Sequence, residues 1–132
     1  MTFSRDILIR FQHCDPAGIV FYPRYFEMIN QVIEDWFAEA IGMSFQQMHI
    51  ELGMGVPAVH VECDFAKASR IGEVVRFELR VLRMGTKSFE LEITATKDGE
   101  LRLRDRVTLV SVVLGEELLL LIQVPLDHDQ QI

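Results

Sequence analysis

The sequence has little of what marks metal-binding, secreted or membrane-spanning proteins. It contains two cysteines, Cys14 and Cys63, whose spacing fits neither a metal site nor a disulfide framework. Its longest apolar run, residues 118–122, is far too short to cross a bilayer. The N-terminal residues include Arg5 and Asp6 and form no apolar signal core. These absences predict a cytoplasmic protein without a metal site.

Positive charge is scarce as well. Against 20 Asp and Glu there are 13 Lys and Arg, which gives a net charge of −7 at pH 7. No basic stripe is present to attract phosphate backbones, so the sequence excludes a general nucleic-acid binder. The Gly-x-Ser-x-Gly motif of serine hydrolases is also missing. With 132 residues the chain has room for one core only, and residues 1–132 are predicted to form a single domain.

The apolar residues that are present follow two different periods. In residues 6–11 they alternate, which predicts a half-buried strand with Phe11 and two isoleucines on its apolar face. In residues 22–41 they recur every three or four positions, which predicts one long helix that ends at Gly42. A second, shorter helix is predicted over residues 44–52.

After Val56 the period changes to two, which predicts antiparallel strands with one apolar face each. Asp98-Gly99 is a strong hairpin signal. The predicted strands lie within residues 59–65, 75–81, 89–95 and 101–113, followed by a short leucine-rich strand near the end. A long apolar helix and an amphipathic sheet can bury each other if the sheet curls round the helix. The predicted fold is therefore α+β, with a long central helix wrapped by a curved antiparallel sheet of about five to six strands.

The turn around Asp15 is the segment with the clearest chemical potential. Pro16 and Gly18 favour a turn, and Pro23 suits the first turn of a helix. A helix N-terminus offers free backbone N–H groups and a partial positive charge, which can stabilise an oxyanion. A carboxylate is normally ionised at neutral pH and can act as nucleophile or base. Together these two groups would form a minimal site for acyl transfer.

The same stretch resembles the signature of the 4-hydroxybenzoyl-CoA thioesterase family, within the hotdog-fold thioesterases. The resemblance implies hydrolysis of an aromatic or short-chain acyl-CoA to free acid and CoA, without a cofactor. It implies that Asp15 attacks the thioester carbonyl or activates water, and that a backbone N–H near Tyr22 polarises the C=O. The ring of Tyr22 is expected to be a core aromatic. The matching positions are Asp15, Pro16, Gly18, Ile19, Val20, Tyr22, Pro23 and Tyr25.

The resemblance also implies where the substrate binds. Lys87 and Ser88, in a glycine-containing turn, are expected near the nucleotide phosphates of CoA, for which ammonium and hydroxyl groups are suitable donors. The acyl pocket is expected between the long helix and the strand that begins at residues 55–59, with Val59 in its wall. Asn30, two turns into the helix, would contact a distal polar group or face solvent.

The resemblance further implies a homodimer or homotetramer with active sites at the subunit interface. Open sheet edges tend to associate. Residues 110–113 and 118–122 are apolar on both faces and are predicted to meet another subunit.

Several alternatives stay open. His13 stands where a frequent form of the motif has an acidic residue, and it could hydrogen-bond Asp15 or cap the turn. Cys14 beside it is more simply a small buried thiol than a nucleophile, since neighbours in an extended chain point to opposite sides. His60, Glu62 and Asp64 share one strand face, for which a solvated or interface role is favoured over a metal site.

Rival functions can be weighed in the same way. A hotdog dehydratase or hydratase relies on a histidine partnered with an acid, and residues 22–41 contain no histidine. A non-catalytic acyl-CoA-binding protein would bind the ligand and release no thiol. Acyl carrier protein could replace free CoA, although the negative net charge makes an acidic carrier a less attractive partner.

Overall fold

In a computed structural model that describes residues 2–113, one long helix packs against a five-stranded antiparallel sheet. The strand order is β1-β4-β5-β6-β3, and β2 and β7 form a separate pair. The elements are β1 Thr2–Leu8, α1 Tyr22–Trp36, α2 Phe45–Ile50, β2 Met54–Gly55, β3 Ala58–Phe65, β4 Val74–Met84, β5 Ser88–Lys97, β6 Glu100–Val110 and β7 Val112–Val113.

The helix α1 has an apolar face that its periodicity predicted. Its 15 residues begin with Tyr22 and Pro23 in the first turn. The chain continues as a π-helical turn, Phe37–Ile41, and ends at Gly42 with φ of 87°, a left-handed conformation that glycine adopts without steric cost. The predicted stop is confirmed, but the last turn is not α-helical. No helix within residues 2–113 is long and apolar enough to cross a membrane.

The core lies between α1 and the sheet. Phe77, Leu79, Leu91, Ile93 and Leu103, from the three central strands, are each 1% exposed or less. The helix contributes six buried residues, Tyr25, Met28, Ile29, Val32, Ile33 and Trp36. The α+β architecture predicted from the two periods is therefore confirmed.

The first strand differs from its prediction. Its ladder with β4 ends at the pair Leu8 and Val74, and Phe11 lies in a 3-10 turn, Phe11–His13, with 84% of its surface exposed. The placement of Phe11 on the apolar face of a strand is wrong. The alternation misleads because Ile9, just beyond the strand, still packs in the core and is held there by backbone hydrogen bonds to residues 72 and 73.

The predicted last strand is also divided. It breaks at Ser111 into β6 and β7, and β7 pairs with β2. Because Val110 donates to the Pro57 carbonyl and Ser111 to the Lys87 carbonyl, residues 110–113 are paired within the chain. The prediction that they meet another subunit stays a prediction. Residues 118–122 and the leucine-rich end strand lie outside the described residues.

Arg102 is buried, although it precedes Arg104 and Arg106 at alternate positions of β6. Only 5% of its side chain is exposed, compared with 51% and 54% for the other two. Its guanidinium donates to both oxygens of Glu73 at 2.8 and 3.0 Å, and to the Ala68 carbonyl at 3.1 Å. Hydrogen bonding from Arg102 lowers the pKa of Glu73 to about 2. The loop between β3 and β4 is thereby fixed to β6.

We expect Arg102→Met to lower the free energy of unfolding by roughly 3 kcal/mol, since Glu73 and Ala68 lose their donor. Urea unfolding at pH 7 measures the change. Arg104→Met is the matched control, because Arg104 is half exposed and lies 3.9 Å from its nearest carboxylate, Glu92; its cost is expected below about 1 kcal/mol. Equal losses in the two variants would contradict the structural role given to Arg102.

Candidate active site

Asp15 occupies a closed turn. One carboxylate oxygen, Oδ1, accepts the Ala17 N–H at 2.8 Å. The Asp15 N–H donates to the Ile19 carbonyl, and the Gly18 N–H donates to the Asp15 carbonyl, both at 3.0 Å. Gly18 has φ of 78°, which is why glycine suits this position. The half-buried carboxylate is thus held by its own backbone.

The turn is joined directly to the start of α1. The Phe21 N–H donates to the His13 carbonyl at 2.9 Å, and Cys14 forms an isolated antiparallel bridge with Val20. These contacts close the chain on both sides of Asp15. As the first residue of α1, Tyr22 has an N–H without an acceptor inside the helix, at the positive end of the helix dipole. The structure therefore joins the backbone of the Asp15 turn to the start of α1.

The ring of Tyr22 is not in the core, so that expectation is wrong. It is 60% exposed and makes edge contacts with Phe21 and Phe65. The core position near the helix start belongs to Tyr25, which is 5% exposed. Its hydroxyl accepts the Ser69 N–H at 3.1 Å.

The loop between β3 and β4 braces the Asp15 turn. The Val20 N–H donates to the Ser69 carbonyl at 2.9 Å, and the Ile71 N–H donates to the Gly18 carbonyl at 3.0 Å. Arg102 in turn donates to the Ser69 hydroxyl at 3.2 Å. Two hydrogen bonds, both through Ser69, therefore link the buried guanidinium to the segment between Asp15 and α1.

His13 caps the preceding turn. Its Nδ1 accepts the Arg10 N–H at 2.8 Å, and burial followed by the charge of Arg10 lowers the pKa of His13. Of the two roles left open, the structure supports the capping role; within residues 2–113 its ring is not hydrogen-bonded to Asp15. The thiol of Cys14 approaches the Arg10 carbonyl at 3.4 Å, and burial together with Asp15 raises its pKa. These surroundings disfavour a thiolate nucleophile.

A cavity of about 290 Å³ lies beneath α1. Its walls come from α1, α2, the segment leading into β3, β3 itself and β6. The acyl pocket was expected in this region, and that assignment stays a prediction. Asn30 lines the cavity and is itself exposed, so it lies at the opening. Val59 is not among the lining residues, although its neighbours Ala58 and Val61 are.

Asp105 is a polar residue of this cavity that the sequence analysis missed. It is 1% exposed, and neither carboxyl oxygen has a hydrogen-bond partner within residues 2–113. Its ladder neighbours are Cys63 on β3 and Ile93 on β5. Burial raises the pKa of Asp105 to about 6, opposed in part by the Cys63 thiol, which approaches the carboxyl without reaching hydrogen-bond geometry.

The signal for Asp105 was present in the alternation of the last strand. Leu101, Leu103, Val107 and Leu109 define its apolar face, and position 105 belongs to the same face. An aspartate there interrupts an otherwise apolar series. Burial of Cys63 itself, followed by the charge of Asp105, raises the pKa of the Cys63 thiol to about 12.

The predicted CoA contacts lie at the β4–β5 hairpin. Lys87 is exposed in the turn, whereas Ser88 is only 3% exposed at the start of β5. A phosphate would reach the Lys87 ammonium more readily than the Ser88 hydroxyl, and both contacts stay predictions. At the other predicted cluster, His60 Nε2 lies 2.8 Å from Glu62. In the part of the chain that the structure describes, no three His, Cys, Asp or Glu side chains are grouped as a metal site requires.

The geometry matches that of known hotdog proteins. The 1,4-dihydroxy-2-naphthoyl-CoA thioesterase from Synechocystis has the same fold, with a TM-score of 0.78 at 22% identity over 88% of this chain and 85% of that one. Residues 9–126 match the thioesterase-like superfamily. The chain therefore belongs to the thioesterase-like superfamily, and its fold is the hotdog fold.

Two relatives have individual names. The 4-hydroxybenzoyl-CoA thioesterase of Pseudomonas sp. (strain CBS-3) is 28% identical over 127 residues, which are 91% of this chain and 89% of that protein. The 1,4-dihydroxy-2-naphthoyl-CoA hydrolase of Nostoc punctiforme is 24% identical over 96 residues. That alignment covers 73% of this chain, and the chain spans 64% of the length of the Nostoc protein.

The burial of Asp105 gives a pH-dependent stability. Because its pKa of about 6 in the folded protein exceeds the ordinary 3.8, the folded state holds the proton more tightly than the unfolded state. The stabilisation that this tighter proton binding gives to the folded state is fully present below pH 3.8 and is lost as the pH rises through 6. We expect the free energy of unfolding of Asp105→Asn, relative to that of the wild type, to rise by on the order of 2–3 kcal/mol from pH 4 to pH 7.5.

Urea unfolding of both proteins at the two pH values measures this difference. Asp98→Asn is the control, because its side chain is 86% exposed in the β5–β6 turn and its φ of 50° suits asparagine. A gap between wild type and Asp105→Asn that does not change with pH would refute the effect.

Proposed function

We propose that the chain hydrolyses acyl-CoA thioesters with an aromatic acyl group to the free acid and CoA. The observation that carries the proposal is the position of Asp15, a carboxylate fixed in a rigid turn directly before the free N–H end of α1. The names of the relatives from Pseudomonas and Nostoc, which act on aromatic CoA thioesters, support the same substrate class.

The two groups divide the reaction between them. The thioester carbonyl oxygen accepts the backbone N–H near Tyr22, where the helix dipole stabilises the charge that develops on it. Asp15 either attacks the carbonyl carbon, forming a mixed anhydride that water then hydrolyses, or removes a proton from water that attacks directly. In both routes CoA leaves as the thiolate and takes up a proton. Neither route calls for a metal or redox cofactor, since a carboxylate and water suffice.

The cavity suits a single aromatic ring. Its volume of about 290 Å³ exceeds the roughly 150 Å³ of an apolar cavity that holds benzene. Phe26, Ile29 and Ile33 provide an apolar wall from α1. CoA would extend outward, with Lys87 as the expected cationic contact for a phosphate.

The active form is proposed to be a homodimer, or a homotetramer built from such dimers, joined at β3. This strand is an edge of the five-stranded sheet, and Val61 and Phe65 on it are 46% and 47% exposed. An edge strand that exposes apolar side chains is a template for pairing with another chain. Because Ala58 and Val61 also line the cavity, such a dimer would place the active sites at the subunit interface.

We expect Asp15→Asn to lower kcat by roughly a hundredfold or more, measured as thiol release from 4-hydroxybenzoyl-CoA. The amide oxygen can still accept the Ala17 N–H, so the turn is kept while the charge is removed. Asp98→Asn makes the same chemical change at an exposed turn and should retain the rate. An Asp15→Asn enzyme as fast as the wild type would overturn the mechanism, and a wild type that releases no thiol from any aromatic acyl-CoA would overturn the function.

Introducing charge at the β3 edge tests the assembly. Phe65→Glu is expected to shift the protein from dimer to monomer in sedimentation velocity, because a carboxylate would be buried in the interface. Leu8→Glu is the matched control, since Leu8 is 46% exposed on β1, at the opposite edge of the sheet. Dissociation by both variants, or by neither, would exclude β3 as the interface.

A further inference from the structure

The cavity under α1 has one feature that thioester hydrolysis does not use. Asp105 lines it from β6, is 1% exposed, and has no hydrogen-bond partner for either carboxyl oxygen within residues 2–113. Buried polar groups are normally satisfied, so an unpartnered carboxyl in an apolar cavity requires an explanation.

The surroundings of Asp105 offer no internal solution. Val107 and Leu109 follow it on the same face of β6, and Ile29 and Ile33 of α1 form the opposite wall. The neighbouring Cys63 thiol is at best a weak donor. Asn30 is the other polar side chain of the cavity, and it is exposed whereas Asp105 is buried, so the two lie at different depths.

We propose that Asp105 is the specificity-determining residue of the acyl pocket, whose carboxyl accepts a hydrogen bond from a hydroxyl group on the aromatic ring of the substrate. The inference rests on the proposed thioesterase function, because it takes the cavity to be the acyl pocket. The ligand class that it names is a hydroxyaryl acyl group.

The selectivity arises from the partner that the right ring supplies. In the free protein both carboxyl oxygens of Asp105 are buried and, within residues 2–113, unpartnered. A ring without a donor leaves the carboxyl in that costly state. A hydroxyl that reaches the carboxyl supplies the missing donor and forms a charge-assisted bond when Asp105 is ionised. Unsubstituted and hydroxylated rings should therefore differ in affinity by roughly tenfold to a hundredfold.

A binding experiment tests this separately from catalysis. The probes are phenacyl-CoA and its 2-, 3- and 4-hydroxyphenacyl analogues, thioethers that cannot be hydrolysed. Isothermal titration is carried out with the wild type, Asp105→Asn and Asp105→Leu, with Asp98→Asn as the control. Thermal unfolding of each variant verifies the fold, and Asp105→Leu is expected to melt higher than the wild type because it removes a buried unpaired carboxyl.

In the wild type and in Asp98→Asn, at least one hydroxyl analogue is expected to bind about tenfold or more tightly than phenacyl-CoA. In Asp105→Leu that preference should disappear. The inference is overturned if the wild type prefers none of the three hydroxyl analogues, or if Asp105→Leu keeps the preference. Thiol release from 4-hydroxybenzoyl-CoA is measured in parallel, so a failure of hydrolysis with intact discrimination would refute the proposed reaction and leave the role of Asp105 standing.

Discussion

The buried guanidinium of Arg102 is the contact on which the arrangement of the site depends. It joins β6 to the loop between β3 and β4 through Glu73, Ala68 and Ser69. That loop holds Gly18 and Val20 by backbone hydrogen bonds. The turn that holds the Asp15 carboxylate is therefore joined to the sheet by a chain of hydrogen bonds that begins at Arg102. A planar group with several donors can bond four acceptor residues at once, which a lysine could not do with the same geometry.

Asp105 represents the opposite case, a buried charge without compensation. Stability alone would favour a leucine at this position, in line with the other residues of its strand face. Violations of this kind are expected where a protein gives up stability for function. The contrast with Arg102 is informative, because both residues lie on β6 and both are almost fully buried. One completes a network inside the fold, and the other faces a cavity.

The periodicity of apolar residues was sufficient to predict the fold, because each helix or strand that is buried on one face must repeat its apolar residues with its own period. The helix stop at Gly42 and the Asp98-Gly99 hairpin, in which both residues have positive φ, follow from local backbone chemistry. The errors arise where burial comes from distant contacts. Ile9 continues the alternation of β1 only because the β3–β4 loop covers it, and Arg102 is buried by the same loop. The motif predicted the turn at Asp15, but the exposure of the Tyr22 ring depends on how the helix start meets the sheet, which spacing along the chain does not encode.

The edge strand β3 connects assembly to the pocket. Its inner side pairs with β6 and places Cys63 opposite Asp105, while Ala58 and Val61 line the cavity. Its outer edge is unpaired within the described sheet. A partner strand added there would cover the side of the cavity that Val61 now exposes to solvent. The dielectric around Asp105 would then fall further, and a hydrogen bond from a ring hydroxyl to its carboxyl would become stronger. Association and substrate discrimination would thus be coupled through one strand, with no conformational change required.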